Sequence, residues 1–361
     1  MQKLTVDARA KPAVKPRNEE EGHLIYKKGD VLENRYVLHE VFGEGTFGKV
    51  VKVYDKSTGT FRALKIIRNL RKYYQAAAWE TRALQKLAQW DPEDNHWIIH
   101  LRANFEYRGH VCLLFDLLGP SIFEFMRSNQ YIPYPIHQTI HIAWQLSNAV
   151  LFLHDHKLTH TDLKPENIIF VRGNFRTRKE GSRTIKTLIN SHIRLIDFGS
   201  ATFAHEHHSP TVTTRHYRAP EIILELGWNQ SCDVWSIGCI LYELYTGVTL
   251  FQTHDNLEHL AIMERVLGDF PLRMAKRTKT SFFKPDGRLN WNVNSDEATY
   301  VREQCQPLRR SLTSKSPSHV LFFDLMQDML TVEPGARITM AEVVADSLFQ
   351  RLPEAKRKST G

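Results

Sequence analysis

Cysteine is scarce in this sequence: four residues in 361, at positions 112, 232, 239 and 305, with no C-x-x-C pair among them. That spacing argues against a disulfide framework and a zinc cluster, and it suits a reducing compartment. Long apolar runs are missing too. No stretch approaches the ~18 consecutive apolar residues of a membrane span, and the opening MQKLTVDARAKPAVKPR lacks the apolar segment of a signal peptide. These absences predict a cytosolic or nuclear protein that makes no use of a membrane. Charge bias is weak as well. The 48 Lys and Arg against 40 Asp and Glu leave +8, without the clustered basic face that direct nucleic-acid binding demands.

What is present is an ordinary globular composition, 42% hydrophobic and 24% charged, in a chain long enough for roughly two packed lobes. Residues 1–24 are polar, rich in Lys, Glu and Pro, and read as a flexible tail. From Tyr36 to about Ile67, short Val-, Phe- and Tyr-rich segments are broken by GEGTFG and DKSTGT turns, which predicts antiparallel strands. A helix is expected over Tyr74 to Gln89, with Ala77, Leu84, Leu87 and Ala88 at helical spacing. Two further strands are expected around Ile98 to Tyr107 and His110 to Leu117. The LLGPS turn then marks a lobe boundary. Beyond it, segments such as IHQTIHIAWQLSNAVLFLHDH and DVWSIGCILYELYTG read as helices. The basic stretch 171–192 and the irregular stretch 273–312 read as insertions, and 350–361 as a short basic tail.

Four motifs carry chemistry. Gly43-Glu44-Gly45-Thr46-Phe47-Gly48-Lys49-Val50 is a G-x-G-x-x-G-x-V loop. Strand-like sequence follows it rather than a helix, so it suits a strand–loop–strand cover over nucleotide phosphates; alone, it would also suit an ordinary glycine-rich hairpin. Ala63-Leu64-Lys65-Ile66 places an ammonium in an apolar strand, where it needs anionic partners: nucleotide phosphates and a glutamate on the next helix, for which Glu80 fits. His160-Thr161-Asp162-Leu163-Lys164-Pro165-Glu166-Asn167 is far more specific. Asp162 would take the proton of an attacking hydroxyl, Lys164 would offset charge on the transferring phosphoryl, and the Asn167 amide oxygen would bind magnesium. Asp197-Phe198-Gly199, after an apolar strand and before Ala219-Pro220-Glu221, would supply the second magnesium ligand.

This set resembles the eukaryotic protein kinases over residues 36–349. More narrowly it is similar to the LAMMER (CLK) kinases of the CMGC group, on Glu258-His259-Leu260-Ala261-Ile262-Met263-Glu264-Arg265, His160-Thr161-Asp162, Ser200-Ala201-Thr202 and the SCDVWSIGC run from Ser231 to Cys239. Ile262 stands where the family pattern has methionine, a swap that keeps the side chain apolar. The resemblance implies an α+β, bilobal kinase fold: a mainly β N-lobe over 36–118, a mainly α C-lobe over 119–349, and ATP in the cleft. It implies nucleotide contacts from Phe42 through Val50, Ala63, Lys65, the gatekeeper Phe115, the hinge residues Asp116 to Leu118, and Ile169. Cofactors would be ATP and Mg2+, and transfer would go to Ser, Thr and Tyr. Protein substrates would be Arg/Ser-rich splicing factors, in the nucleus and in the cytoplasm as a second compartment, with the enzyme a monomer. Asp233 would brace the catalytic loop and Glu221 would pair with Arg337.

Two departures bear on regulation and specificity. Many kinases have arginine where Thr161 stands, to capture an activation-loop phosphate; threonine cannot do so, which predicts activity independent of that phosphate unless Arg215 substitutes. Glu166 sits in the catalytic loop, where kinases that prefer arginine upstream of the target often place a carboxylate. The LAIMER segment itself reads as an ordinary packed helix, its charged residues positioning the inserted elements. The rival from another class is a pseudokinase scaffold, against which the presence of Lys65, Glu80, Asp162, Asn167 and Asp197 speaks.

Overall fold

The computed structural model describes residues 22–353, in two compact units: the first holds residues up to Ala78 plus Arg102–Leu117, the second Trp79–Leu101 and everything from Leu118. In the first unit, β1 (Val31–Leu32), β2 (Tyr36–Gly45), β3 (Gly48–Asp55), β4 (Thr60–Ile67), β5 (Leu101–Tyr107) and β6 (His110–Asp116) form one sheet in the order β1-β2-β3-β4-β6-β5. Alternation sorts its two faces. Leu38, Val51, Val53, Leu64, Ile66, Cys112 and Leu114 pack into the core, as the two-residue period of a pleated strand dictates. The intervening residues face the other way. The register Val50↔Lys65↔Leu113 and Lys52↔Ala63↔Phe115 places Val50, Ala63, Lys65 and Phe115 on one face. Tyr73 and Ala77, from the helix Arg71–Trp90, close one corner against Ile67 and Val111.

The second unit is mainly helical around Ile136–Asp155 and Ser231–Thr246, both buried along most of their length. Within it, Arg337 forks onto Glu221 at 2.8 and 2.9 Å. Both side chains are all but inaccessible, and the guanidinium also covers the Trp235 ring at 5.0 Å. The helix Asn256–Leu267, which carries the LAIMER segment, buries His259, Leu260, Ala261, Ile262 and Met263. Its Arg265 donates to the carbonyls of Cys305 at 3.1 Å and Arg302 at 3.3 Å, tying it to the second insertion.

Several boundaries differ from the sequence reading. Residues 22–24 are not tail: Gly22 accepts from Asn69 N at 2.8 Å, and Leu24 lies in the sheet core. At the other end, Gln350 closes the helix Ser347–Gln350 and Leu352 is buried, so packing runs past the expected start of the basic tail. Residues 1–21 and 354–361 of those tails lie outside the described residues. Residues Trp79–Leu101, expected in the N-lobe, group with the second unit, because Trp79 and Trp90 pack there. Ile98 makes only an isolated bridge to Leu195, and β5 starts at Leu101. The 171–192 insertion is an ordered antiparallel hairpin, Phe175–Glu180 with Arg183–Leu188. Asn129 anchors it, donating to Lys186 O at 3.0 Å and accepting from Lys186 N at 2.8 Å. The 273–312 stretch contains the helices Leu272–Arg277 and Asp296–Gln304.

Removing one member of a buried ion pair leaves the other charge uncompensated, at a cost of about 3–5 kcal/mol. Arg337→Met is therefore expected to lower unfolding stability by about that amount in a denaturant titration; a loss within error of zero would show the pair to be dispensable.

Candidate active site

In the first unit, the glycine loop is the hairpin between β2 and β3, with Gly43↔Val50, Glu44↔Lys49 and Gly45↔Gly48 in register. Its three glycines are not equivalent. A Cβ on Gly48 would sit 2.1 Å from Ile66 O, so the fold itself requires glycine there. Around Gly43 and Gly45 nothing lies within 4 Å of such a Cβ. The packing does not demand glycine at those two places, whereas close approach of a phosphate to the backbone would. The tip is tethered: Arg68 N donates to Phe47 O at 2.9 Å, the Arg68 side chain reaches Thr46 O at 3.3 Å, and Phe47 meets Tyr73 edge-on at 5.7 Å. Glu44 lies 3.4 Å from Lys49 and 3.3 Å from His23, and Phe42 is exposed.

The same unit carries half-buried Lys65 on the face shared with Val50, Ala63 and Phe115, a surface that suits a purine and its phosphates; the other lysine of that face, Lys52, donates to Glu40 at 2.8 Å. Asp116 contributes differently from what its charge suggests. Arg102 grips its carboxylate from Nε at 2.8 Å and NH2 at 2.5 Å, and Arg62 adds a further contact. The carboxylate is thus committed to arginines of β5 and β4, and the backbone groups of Asp116 are what it can offer a base. Neither arginine was picked out by the motifs.

In the second unit, the catalytic loop hangs from Asp233. This fully buried carboxylate accepts from His160 N at 2.8 Å, Thr161 N at 3.0 Å and His154 Nε2 at 3.0 Å. Thr161 takes φ 66°, costly for a β-branched residue, and donates its hydroxyl to Ser200 O at 2.7 Å. Arg215, the candidate substitute for a phosphate-capturing arginine, instead donates to Asn256 Oδ1 at 2.7 Å. Asp162 follows, with Lys164 Nζ at 2.6 Å from Oδ2, and Thr214 donating to Oδ1 from N at 3.0 Å and from Oγ1 at 2.7 Å. Burial pushes the pKa of Asp162 up; the hydrogen bonds from Lys164 and Thr214, with the charges of Lys164 and His160, outweigh it and hold the carboxyl below its usual range.

The metal donors fit magnesium. Asn167 Nδ2 donates to Asp162 O at 2.8 Å, which turns the amide oxygen outward. Asp197, next to it through Ile196 N→Asn167 O at 2.9 Å, is held at φ 64°. An amide oxygen and a carboxylate are hard donors of the kind Mg2+ takes. Glu80 is buried, its Oε2 3.9 Å from where a Cβ on Gly199 would lie. Ile169 pairs with Arg194 in the short strand Ile168–Phe170, and half-buried Leu118 starts the chain segment leading to Ser121. Glu166 is exposed on the turn Pro165–Asn167. It is close enough to raise the pKa of His216, which burial and then His254 lower overall. Thr214 and Trp79 went unrecognised in the sequence. Their partners, Asp162 and Ala201, lie 52 and 122 residues away.

The glycine loop and Lys65 in one unit and the Asp162 loop with Asp197 in the other are the features of a protein kinase, and the family model for the protein kinase domain matches residues 36–349. The chain is 61% identical over 338 residues to the probable dual specificity protein kinase madd-3 of Caenorhabditis elegans, covering 94% of this chain and 38% of that protein. It is 51% identical to the serine/threonine-protein kinase Doa of Drosophila melanogaster (96% and 42%), and 52% identical to human dual specificity protein kinase CLK2 (92% and 67%). A crystal structure of a kinase domain matches with TM-score 0.83 and 34% identity, over 91% of this chain and 99% of that one. The chain belongs to the protein kinase family, in its CLK (LAMMER) branch. It spans about two fifths of the length of madd-3 and Doa.

Because the folded pKa of Asp162 is depressed, the stability it contributes is present above the ~3.9 of an unfolded aspartate and lost as pH falls through the folded value. The acid limb of kcat that belongs to Asp162 is likewise expected below ~3.9. Lys164→Met removes the strongest influence lowering that pKa, and should move the limb upward while cutting kcat at least ~100-fold. A pH–rate series on both proteins checks this; an unmoved limb would assign the low pKa to other neighbours.

Proposed function

We propose that this chain transfers the γ-phosphoryl of ATP to Ser, Thr and Tyr hydroxyls of proteins. The observation that carries the reading is Asp162, kept ionised beside Lys164 at 2.6 Å on a loop suspended from Asp233. The substrate oxygen attacks the γ-phosphorus, its proton passes to Asp162, and the bond to the ADP oxygen breaks as Lys164 offsets charge on the phosphoryl oxygens. Lys65 would hold the α- and β-phosphates. Asn167 and Asp197 would hold Mg2+, which when bound neutralises phosphate charge.

For substrates we propose Arg/Ser-rich proteins such as splicing factors, with the nucleus as the site of action, the cytoplasm as a second compartment, and a monomeric enzyme. Support for the arginine preference comes from exposed Glu166 beside the 212–218 segment; the relatives named as dual specificity kinases support transfer to Tyr as well as to Ser and Thr. Thr161 bonding directly to Ser200 supports a site assembled without an activation-loop phosphate.

The test is transfer of radiolabelled phosphate from Mg-ATP to an Arg/Ser-rich peptide and to a Tyr-containing peptide. Asp162→Asn should abolish it, whereas persistence of transfer would remove Asp162 from the chemistry. Glu166→Lys should raise KM for the Arg/Ser peptide ~10-fold by exchanging attraction for repulsion, and leave KM for ATP in place. An unchanged peptide KM would take Glu166 out of substrate recognition.

A further inference from the structure

The helix Arg71–Trp90 delivers Glu80, yet the residue that ties it to the rest of the second unit is the neighbour of that glutamate. Trp79 Nε1 donates to Ala201 O at 3.0 Å, a carbonyl in the segment that follows Asp197-Phe198-Gly199. Two more side chains of the helix reach the same segment: Lys86 Nζ lies 4.4 Å above the Phe203 ring and Trp90 meets that ring edge-on at 6.2 Å. Positions 79, 86 and 90 are seven and four residues apart, one stripe of a helix. The segment is itself fixed. Thr161 Oγ1 donates to Ser200 O at 2.7 Å, Thr202 and Phe203 pair with Thr159 and Leu158, and Ala204 N donates to Lys157 O at 2.9 Å.

Ala83, Leu84 and Leu87 are buried along the helix, Trp90 also stacks on His156 at 4.3 Å, and the Phe203 contacts hold the distal end of the stripe; these apolar and ring contacts are non-directional and tolerate sliding. The indole N–H is directional. A rotation of ~20° about an axis some 5–6 Å from the side-chain tips displaces a carboxylate by about 2 Å, and misplacement by ~1 Å already costs on the order of 100-fold in rate where groups must be aligned. Glu80 is adjacent to Trp79 and lies over Gly199, so it is the group that such a rotation would move.

We propose that Trp79 is a positioning residue for phosphoryl transfer: its indole N–H, donated to the Ala201 carbonyl, sets the rotation of the helix and so aims Glu80. The inference rests on the phosphoryl-transfer reading, and its test is run on wild-type protein already shown to transfer phosphate, so failure of that reading appears first and separately.

The informative substitution replaces Trp79 with benzothienylalanine, which keeps the fused ring and its packing but has sulfur in place of N–H; Trp79→Phe serves as the encoded counterpart. The expected result is a ~10-fold fall in kcat/KM for ATP with KM for the peptide unchanged, Tm within about 3 °C of wild type, and faster amide exchange across residues 79–90. Retention of wild-type kcat/KM for ATP by the benzothienylalanine protein would overturn the proposal. So would equal losses toward ATP and peptide accompanied by a large fall in Tm, which is the signature of a merely structural tryptophan.

Discussion

The Asp233 carboxylate, with three donors at 2.8–3.0 Å and no exposed surface, is the constraint on which the second unit's chemistry depends. Burying such a group without partners would be prohibitive. Here two consecutive backbone amides and an imidazole N–H meet it, and it sits in the first turn of the helix Ser231–Thr246, where the helix dipole favours negative charge. Taking both amides of His160 and Thr161 fixes the backbone just before Asp162. The strained φ of Thr161 persists because these bonds over-determine it.

From that point two chains of contacts leave. One runs through Asp162 to Lys164 and Thr214, linking the catalytic loop to the activation segment. The other runs through the Thr161 hydroxyl to Ser200, and then through Ala201 to Trp79 and the helix that carries Glu80. In a kinase with arginine at position 161, the second chain would wait for a phosphate to be captured. Threonine closes it with one neutral hydrogen bond. The Arg215 guanidinium, satisfied by Asn256, has its own structural partner.

How much of this was legible in the sequence follows from distance along the chain. Asp162, Lys164 and Asn167 sit within six residues, and their chemistry is readable because the loop is its own context. The sheet was readable too, since Val51, Val53, Leu64 and Ile66 alternate with the residues of the opposite face. The tie made by Trp79 was not legible, because nothing near it in the sequence hints at a partner 122 positions on. The hairpin 175–188 read as a featureless polar insert. Its order comes from backbone pairing, from Asn129, from Gln138 donating to Leu188 O at 2.8 Å, and from Leu188 and Phe175 packing on the helices beside it, partners that lie some 50 residues away along the chain. Leu24 and Leu352 are buried, so packing reaches into both stretches that read as tails.

The central claim is that the loop hung from Asp233 is complete without a phosphate on the activation segment. The most direct test is the time course of peptide phosphorylation by protein treated with phosphatase and freed of it before Mg-ATP is added. The account predicts product rising linearly from the first points, at the rate of untreated protein. A lag that shortens as the protein phosphorylates itself, or a rate reduced to a few per cent, would contradict it.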